Sequence, residues 1–213
     1  MYDRDSALKV AEFLLQIKAI ILRPNEPFNW ASGWKSPIYC DNRKILSYPR
    51  VRTYVRQELA KGVQDNFGKP DLIAGVATGG IAHGVLVAQD LGTPFAYVRP
   101  KPKGHGLSNQ IEGVVESGQS VIVIEDLIST GNSSLNAVEA LRETGCTVKG
   151  MVAIFSYGFD QANENFKAKK CPLVTLTNYD VLVEVALERN HITEKDLRLL
   201  QTWREDPASW TGN

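Results

Sequence analysis

Residues 121–134, VIVIEDLISTGNSS, constrain the fold of this chain more than any other stretch. The first four are apolar and β-branched, which is typical of a strand buried on both faces of a parallel sheet. Glu125 and Asp126 follow, where we expect the strand to emerge into solvent. Residues 129–134 supply hydroxyl groups, a glycine and N-cap residues for a helix predicted over 135–144. Because helix N-termini bind anions through unpaired N–H groups, the stretch predicts a phosphate site at the end of a central strand.

The length of the chain suits a single α/β domain, and its formal net charge is zero. A chain of 213 residues can bury one substantial core. Lys plus Arg and Asp plus Glu number 24 each, so no net field favours nucleic acid or a membrane surface. The three cysteines are widely spaced without a C-x-x-C pair, which argues against a disulfide framework or a zinc site and favours a reducing cytoplasm. The N-terminus lacks the features of a signal peptide, and charged residues interrupt the amphipathic helix predicted over 7–22.

Strand-like and helix-like patterns alternate through most of the chain. This alternation predicts an α/β fold with a doubly wound, mostly parallel sheet and right-handed crossovers. Ligands of such sheets bind outside the carboxyl ends of the strands. The turn at 78–80, the loop after Arg99 and the stretch 125–134 should therefore converge. Strands are predicted over 38–40, 71–77, 94–99, 120–125, 147–155 and 173–177, and helices over 7–22, 49–67, 81–91, 135–144, 181–189 and after Thr193.

A cationic loop follows the strand that ends at Arg99. Residues 99–106 read RPKPKGHG, with four potential cations and no acid before Glu112. A polyanion would order such a loop through charge-assisted hydrogen bonds of roughly 1.5 to 3 kcal/mol each. The pattern favours a pyrophosphate clamp, although a charge run more often marks a solvated surface. His105 in the loop can change its charge near neutral pH, whereas His83 is interpreted as structural.

Residues 23–37 are rich in proline and glycine yet contain Phe28, Trp30 and Trp34. We expect an ordered loop or short hairpin that stacks on a flat ligand, with the equal alternative that both tryptophans fill the core. The chain contains neither G-x-x-x-x-G-K-[ST] nor G-x-G-x-x-G. A nucleotide triphosphatase or a Rossmann dehydrogenase is therefore disfavoured.

Together these motifs resemble a known family. The stretch 121–134 is similar to the motif by which type I phosphoribosyltransferases bind 5-phosphoribosyl-1-diphosphate. Segments 28–39, 99–106 and 110–113 resemble orotate phosphoribosyltransferases in order and spacing. The resemblance implies transfer of the phosphoribosyl group to orotate, giving orotidine 5'-phosphate and diphosphate in pyrimidine biosynthesis. It also implies Mg²⁺ as cofactor, without direct protein ligands, and a homodimer with shared active sites.

The resemblance also implies roles for individual residues. Lys103, His105 and Asp126 are the expected catalytic residues, and Arg99 joins the first two in binding the diphosphate. Asp126 would support positive charge on the sugar. The residues expected to hold the ribose and its phosphate are Glu125, Asp126, Leu127, Ile128, Ser129, Thr130, Gly131, Asn132 and Ser133, and those expected to contact the base are Ser129, Lys35 and Trp30.

The chain departs from the family pattern at four positions. Ala31, Gly79 and Pro100 stand where a lysine occurs in some or many members. Tyr157 stands where an arginine usually meets the orotate carboxylate. We hypothesise that Lys35, or main-chain N–H groups of the loop around it, hold that carboxylate instead.

The resemblance implies one domain over 1–213, with a base-binding hood over about 1–45, an α/β core with a mobile loop over about 46–180, and C-terminal helices over about 181–213. Two other functions stay open. The chain could be a purine phosphoribosyltransferase, which would not need the aromatic segment 30–39. It could also be a non-catalytic regulator that senses the diphosphate sugar and binds nucleic acid, but zero formal net charge disfavours that function.

Overall fold

The computed structural model describes residues 3–30, 33–101 and 110–212. A 3-10 helix, Asn42–Ser47, connects the N-terminal part to the rest. The strands are β1 Ile20–Leu22, β2 Phe28–Asn29, β3 Lys35–Ser36, β4 Ile38–Cys40, β5 Leu72–Val76, β6 Phe95–Val98, β7 Ile111–Glu112, β8 Ser120–Ile128, β9 Thr147–Ser156 and β10 Leu173–Asn178. The helices are α1 Arg4–Gln16, α2 Pro49–Phe67, α3 Gly79–Leu91, α4 Asn132–Glu143, α5 Asp160–Ala168, α6 Tyr179–Glu188 and α7 Glu194–Glu205.

The centre of the fold is a six-stranded sheet in the order β10-β9-β8-β5-β6-β7. Neighbouring strands run parallel from β10 to β6, and β7 alone among these six joins antiparallel to β6. Two short antiparallel pairs, β1 with β4 and β2 with β3, lie outside this sheet. The predicted α/β fold with a mostly parallel, doubly wound sheet is confirmed.

Strand β8 is buried on both faces, as its apolar run predicts. Ile122 and Ile124 belong to a core that includes residues of α1, α2, α3, α6 and α7. Val121 and Val123 point into the opposite core, with residues of α4 and α5. Full burial of such side chains stabilises a fold by about 1.5 to 3 kcal/mol each, so the sheet holds β8 firmly where the polar stretch begins.

The first helix is displaced from its predicted bounds of 7–22 and is shorter. Asp3 caps α1 by accepting a hydrogen bond from the Ser6 N–H, and the helix ends at Gln16. Lys18 then takes a left-handed conformation with φ of 54°. Residues 20–22 form β1 because they find a strand partner in β4. The apolar positions after 17 thus follow tertiary pairing and not the helical period.

The polar end of β8 also differs from the prediction. The strand does not stop at Glu125 but continues to Ile128, where β9 still offers partners at Phe155 and Ser156. Helix α4 then begins at Asn132, three residues before its predicted start, with Gly131 as N-cap. Helix α5 and strand β7 were not predicted at all. The acidic pair is therefore part of an extended strand, with the glycine loop immediately after it.

The expected mobile loop falls mostly on residues 102–109, which lie outside the described residues. Its two ends are joined: the Arg99 N–H donates to the Gln110 carbonyl at 2.8 Å, and the Gln110 side chain donates back at 2.9 Å. None of the described helices has the length and apolar character of a membrane span.

Candidate functional site

A cavity of about 300 Å³ lies where β5 and β8 end, at the edge of the sheet predicted to bind ligand. The turn after β5 forms one wall, and the β8–α4 loop forms the other. Its lining residues are Val76, Ala77, Thr78, Gly79, Glu125, Asp126, Leu127, Ser129, Thr130, Gly131, Ser133 and Ser134.

The loop between β8 and α4 has the geometry of an anion site. Gly131 has φ of 80°, a left-handed conformation that glycine adopts without strain. No described side chain caps α4, which follows at once. Its N-cap Gly131 and its first-turn residues Ser133 and Ser134 line the cavity, so the positive end of the helix dipole lies there beside the Thr130 hydroxyl group. This arrangement suits a phosphate group.

Helix α5 supports this loop from outside the cavity. The Asn165 side-chain nitrogen donates to the Thr130 carbonyl at 2.9 Å and to the Asn132 side-chain oxygen at 3.1 Å. The Phe166 ring lies so close under Gly131 that a Cβ there would stand 2.7 Å from its Cε2. Both contacts come from a helix that sequence reasoning missed, and nothing in the pattern of residues 160–168 marks them.

Glu125 is 5% exposed and forms part of the cavity wall. One carboxylate oxygen accepts from the Ser134 hydroxyl at 2.8 Å, and the other accepts from the Asp126 N–H at 2.9 Å. Burial, and then the adjacent Asp126 charge, raise the pKa of Glu125 well above its ordinary value. Glu125 therefore acts as a buried brace as well as a lining group. The role of Ser134 was missed, although it lies in the predicted stretch.

Asp126 is the half-buried carboxylate of the cavity. Its carboxyl group lies against Gly79. A Cβ added to Gly79 would overlap the carboxyl carbon and both carboxyl oxygens of Asp126. The glycine found where some family members have a lysine thus leaves room for Asp126. On the main-chain side, the Asp126 carbonyl accepts from the Asn42 side-chain nitrogen at 2.6 Å. No sequence pattern pointed to Asn42.

Several other residues predicted for the site do not line the cavity or lie outside the described residues. The Ile128 side chain is fully buried in the core, and Asn132 points to Asn165, so neither lines the cavity. Arg99 forms an ion pair with Glu112 of β7, with 3.6 Å between Nη1 and Oε1. Lys103 and His105 lie outside the described residues. Among the described residues, no three His, Cys, Asp or Glu side chains converge as a metal cage.

The predicted hairpin is present as β2 and β3, and Trp30 at its end packs into an aromatic cluster. Its ring lies 5.2 Å from Tyr157 and 5.8 Å from Trp203, measured between centroids, and its indole N–H donates to the Ile38 carbonyl at 3.1 Å. Trp34 stacks on Trp30 with 6.5 Å between the ring centroids. Trp30 is partly buried against the core and therefore links the hairpin to it. Its contact with the base stays a prediction.

The position of the missing arginine lies inside the same cluster. Tyr157 is 3% exposed and stacks on Phe159 with 13° between the ring planes. Burial raises the pKa of its hydroxyl well above the ordinary value, so Tyr157 carries no charge. Lys35 is exposed, and its ammonium donates to the Thr211 carbonyl at 3.1 Å.

Comparison with known proteins shows which family the chain belongs to. The phosphoribosyl transferase domain model matches residues 45–189. The chain is 58% identical over 200 residues to the orotate phosphoribosyltransferase of Bacteroides thetaiotaomicron, covering 94% of each chain, and 59% identical to that of Phocaeicola vulgatus with the same coverage. The crystal structure of orotate phosphoribosyltransferase from Aeropyrum pernix superposes with a TM-score of 0.75 at 28% identity, covering 86% of this chain and 99% of that one. The chain belongs to the orotate phosphoribosyltransferases of the type I phosphoribosyltransferase family.

Proposed function

We propose that the chain transfers the phosphoribosyl group of 5-phosphoribosyl-1-diphosphate to orotate. The observation that carries this proposal is the cavity that combines Asp126 with the uncapped N-terminus of α4. The 5-phosphate would lie against the loop of residues 129–133, and the ribose hydroxyls would donate hydrogen bonds to Asp126 and Glu125. This orientation directs C1 of the sugar away from the phosphate loop and toward the incoming base.

The reaction needs no protein nucleophile. A ring nitrogen of orotate bonds to C1 and gives up its proton to solvent, while the C1–O bond to diphosphate breaks and the diphosphate leaves with the electron pair. Positive charge builds on the sugar as the bond breaks, and the Asp126 carboxylate would stabilise it. The rest of the rate enhancement would come from positioning the two reactants and excluding water.

The leaving group requires cations from elsewhere. We propose Arg99, Lys103 and His105 for the diphosphate, with the last two also acting in catalysis. All three residues belong to the segment that starts at Arg99, and the hydrogen bonds between Arg99 and Gln110 hold the two ends of that segment together. Mg²⁺ usually binds proteins through one or two carboxylates together with phosphate oxygens. Glu125 is a poor ligand for the ion, because it is buried and both of its carboxylate oxygens already accept hydrogen bonds. We therefore propose no direct protein ligand: held by the phosphate oxygens of the substrate, the ion would supply charge neutralisation on the diphosphate.

Orotate would be bound between Ser129 and the β2–β3 hairpin, with Trp30 as the support of its site. Its carboxylate needs a partner because Tyr157 is buried and uncharged. We propose Lys35, whose ammonium donates to the neutral Thr211 carbonyl, or the main-chain N–H groups near it. An unchanged Michaelis constant for orotate in Lys35→Ala would eliminate the lysine.

We further propose a cytoplasmic homodimer in which the loop after Arg99 reaches the partner's site. Cys40, Cys146 and Cys171 are free, which suits a reducing compartment. The hood over about 1–45, the core over about 46–180 and the C-terminal helices over about 181–213 would serve as one domain. The family resemblance supports the dimer.

A purine substrate is the competing activity within the same fold. The names of the relatives at 58% and 59% identity favour orotate. The purified protein should be incubated with the diphosphate sugar, Mg²⁺ and either orotate, uracil, adenine or hypoxanthine. Formation of a nucleotide from orotate alone supports the proposal, and product from a purine but not from orotate would overturn it.

A further inference from the structure

The main chain of Asp126 lies beyond the end of the ladder between β5 and β8. The last pair of that ladder joins Gly75 to Ile124. At Asp126, side chains supply hydrogen bonds to the main chain instead. Its N–H donates to the Glu125 carboxylate at 2.9 Å, and its carbonyl accepts from Asn42 Nδ2 at 2.6 Å. Two side chains thus take the place of a neighbouring strand at the residue that faces the sugar site.

Asn42 is held firmly where it makes this contact. It is the first residue of the 3-10 helix after β4, and its exposed fraction is 0%. The preceding Asp41 fixes this turn, because its carboxylate accepts from the Arg43 N–H at 3.3 Å and from the Arg43 Nε at 2.7 Å. A buried amide that donates to a carbonyl is costly to remove, since the carbonyl then stays unpaired. Asn42 therefore joins the N-terminal part of the chain to the pocket strand.

The other side of Asp126 is closed by α3. Gly79 at the start of α3 lies under the carboxyl group, and His83, 2% exposed, follows one turn later. Burial lowers the pKa of His83, while the charge of Asp126 and a main-chain hydrogen bond with Asn42 act against this shift. The 3-10 helix, α3 and β8 thus meet around one carboxylate. A change at Asn42 would reach Asp126 directly.

We infer that Asn42 is a positioning residue for phosphoribosyl transfer, because its side-chain amide fixes the main chain of Asp126 and thereby the carboxylate that faces the sugar. This inference rests on the proposed role of Asp126 at the ribose. Asn42 does not contact substrate. Its effect should appear in the turnover number and depend on the presence of the Asp126 carboxylate.

A double-mutant cycle in the full-length protein tests the inference. Removing one partner of a buried hydrogen bond should lower kcat by about tenfold in Asn42→Ala, with the Michaelis constant for orotate nearly unchanged. In an Asp126→Asn background, the same substitution should change kcat by less than about twofold, because the group that Asn42 positions is already lost. Asn42→Leu, which fills the space without donating, should behave like Asn42→Ala. Asn66→Ala is a control away from the cavity: Asn66 is exposed, and it also donates to a main-chain carbonyl, that of Gly62 at 2.8 Å, but within α2.

The outcomes separate the possibilities. Wild-type kcat in both Asn42 variants would overturn the inference, as would an equal loss of kcat in the wild-type and Asp126→Asn backgrounds. Activity is referred to the folded fraction measured by circular dichroism, so a loss of stability is not mistaken for a loss of turnover. Full activity of Asp126→Asn would instead overturn the proposed role of Asp126, and the positioning role with it.

Discussion

Gly79→Ala tests whether catalysis requires the Asp126 carboxylate to occupy the space beside residue 79, at the start of α3. A Cβ at residue 79 would overlap the carboxyl carbon and both oxygens of Asp126. The carboxyl group is the end of a side chain and can move, whereas the main chain of Asp126 is held by Glu125 and Asn42. We therefore expect the carboxylate to shift and the fold to persist.

The expected size follows from the cost of inserting a methyl group into a packed site, typically about 1 to 3 kcal/mol. If that cost falls on the placement of Asp126, kcat decreases by roughly fivefold to 150-fold. Gly92→Ala at the other end of α3 is the control. Gly92 has φ of 61°, and a Cβ added there would meet no atom within 4 Å, so its substitution strains the helix end by about 1 kcal/mol without touching the cavity.

Steady-state kinetics with varied diphosphate sugar, together with thermal unfolding of both variants, checks this prediction. Gly79→Ala should lose turnover with a small change in Tm, and Gly92→Ala should lose Tm with little change in turnover. Wild-type kcat in Gly79→Ala would refute the reasoning that Asp126 must occupy this space.

The supports of the cavity, its buried acid and its cationic loop can each be tested separately. Asn165→Ala should raise the Michaelis constant for the diphosphate sugar by roughly tenfold at nearly constant kcat, because the Thr130 carbonyl loses its partner. Burial raises the folded-state pKa of Glu125, so the free energy of unfolding should fall as pH rises above the ordinary value of 4.5; Glu125→Gln should lack this decline in denaturant titrations at pH 5 and pH 8. Mixing inactive Lys103→Ala with inactive Asp126→Asn should restore about a quarter of wild-type activity if loops are exchanged in a symmetric dimer, and none if each loop serves its own subunit.

Sequence patterns predicted the parts of the fold that local chemistry determines. Four β-branched residues specified β8, and the adjoining acids, hydroxyls and glycine specified the cavity at its end. The boundary of α1 was wrong because Ile20 and Ile21 fit a helical period equally well and only their pairing with β4 decides the matter.

The residues that support the site, Asn42 and Asn165, could not be predicted, because their contacts also depend on tertiary structure. Asn42 and Asp126 are separated by 84 positions, and Asn165 and Thr130 by 35. Each asparagine is a common polar residue whose importance depends on what the fold places next to it. Tyr157 was recognised as a departure from the family pattern, but its burial among Trp30, Phe159 and Trp203 became evident only in three dimensions.

The most direct test of the account is the reaction itself, followed with and without the Asp126 carboxylate. The purified chain, the diphosphate sugar, Mg²⁺ and orotate should give orotidine 5'-phosphate and diphosphate in equal amounts. Asp126→Asn should reduce kcat by at least about a hundredfold, since preorganised charge at a developing cation is a large part of such catalysis. Absence of product from orotate, or undiminished turnover in Asp126→Asn, would contradict the account.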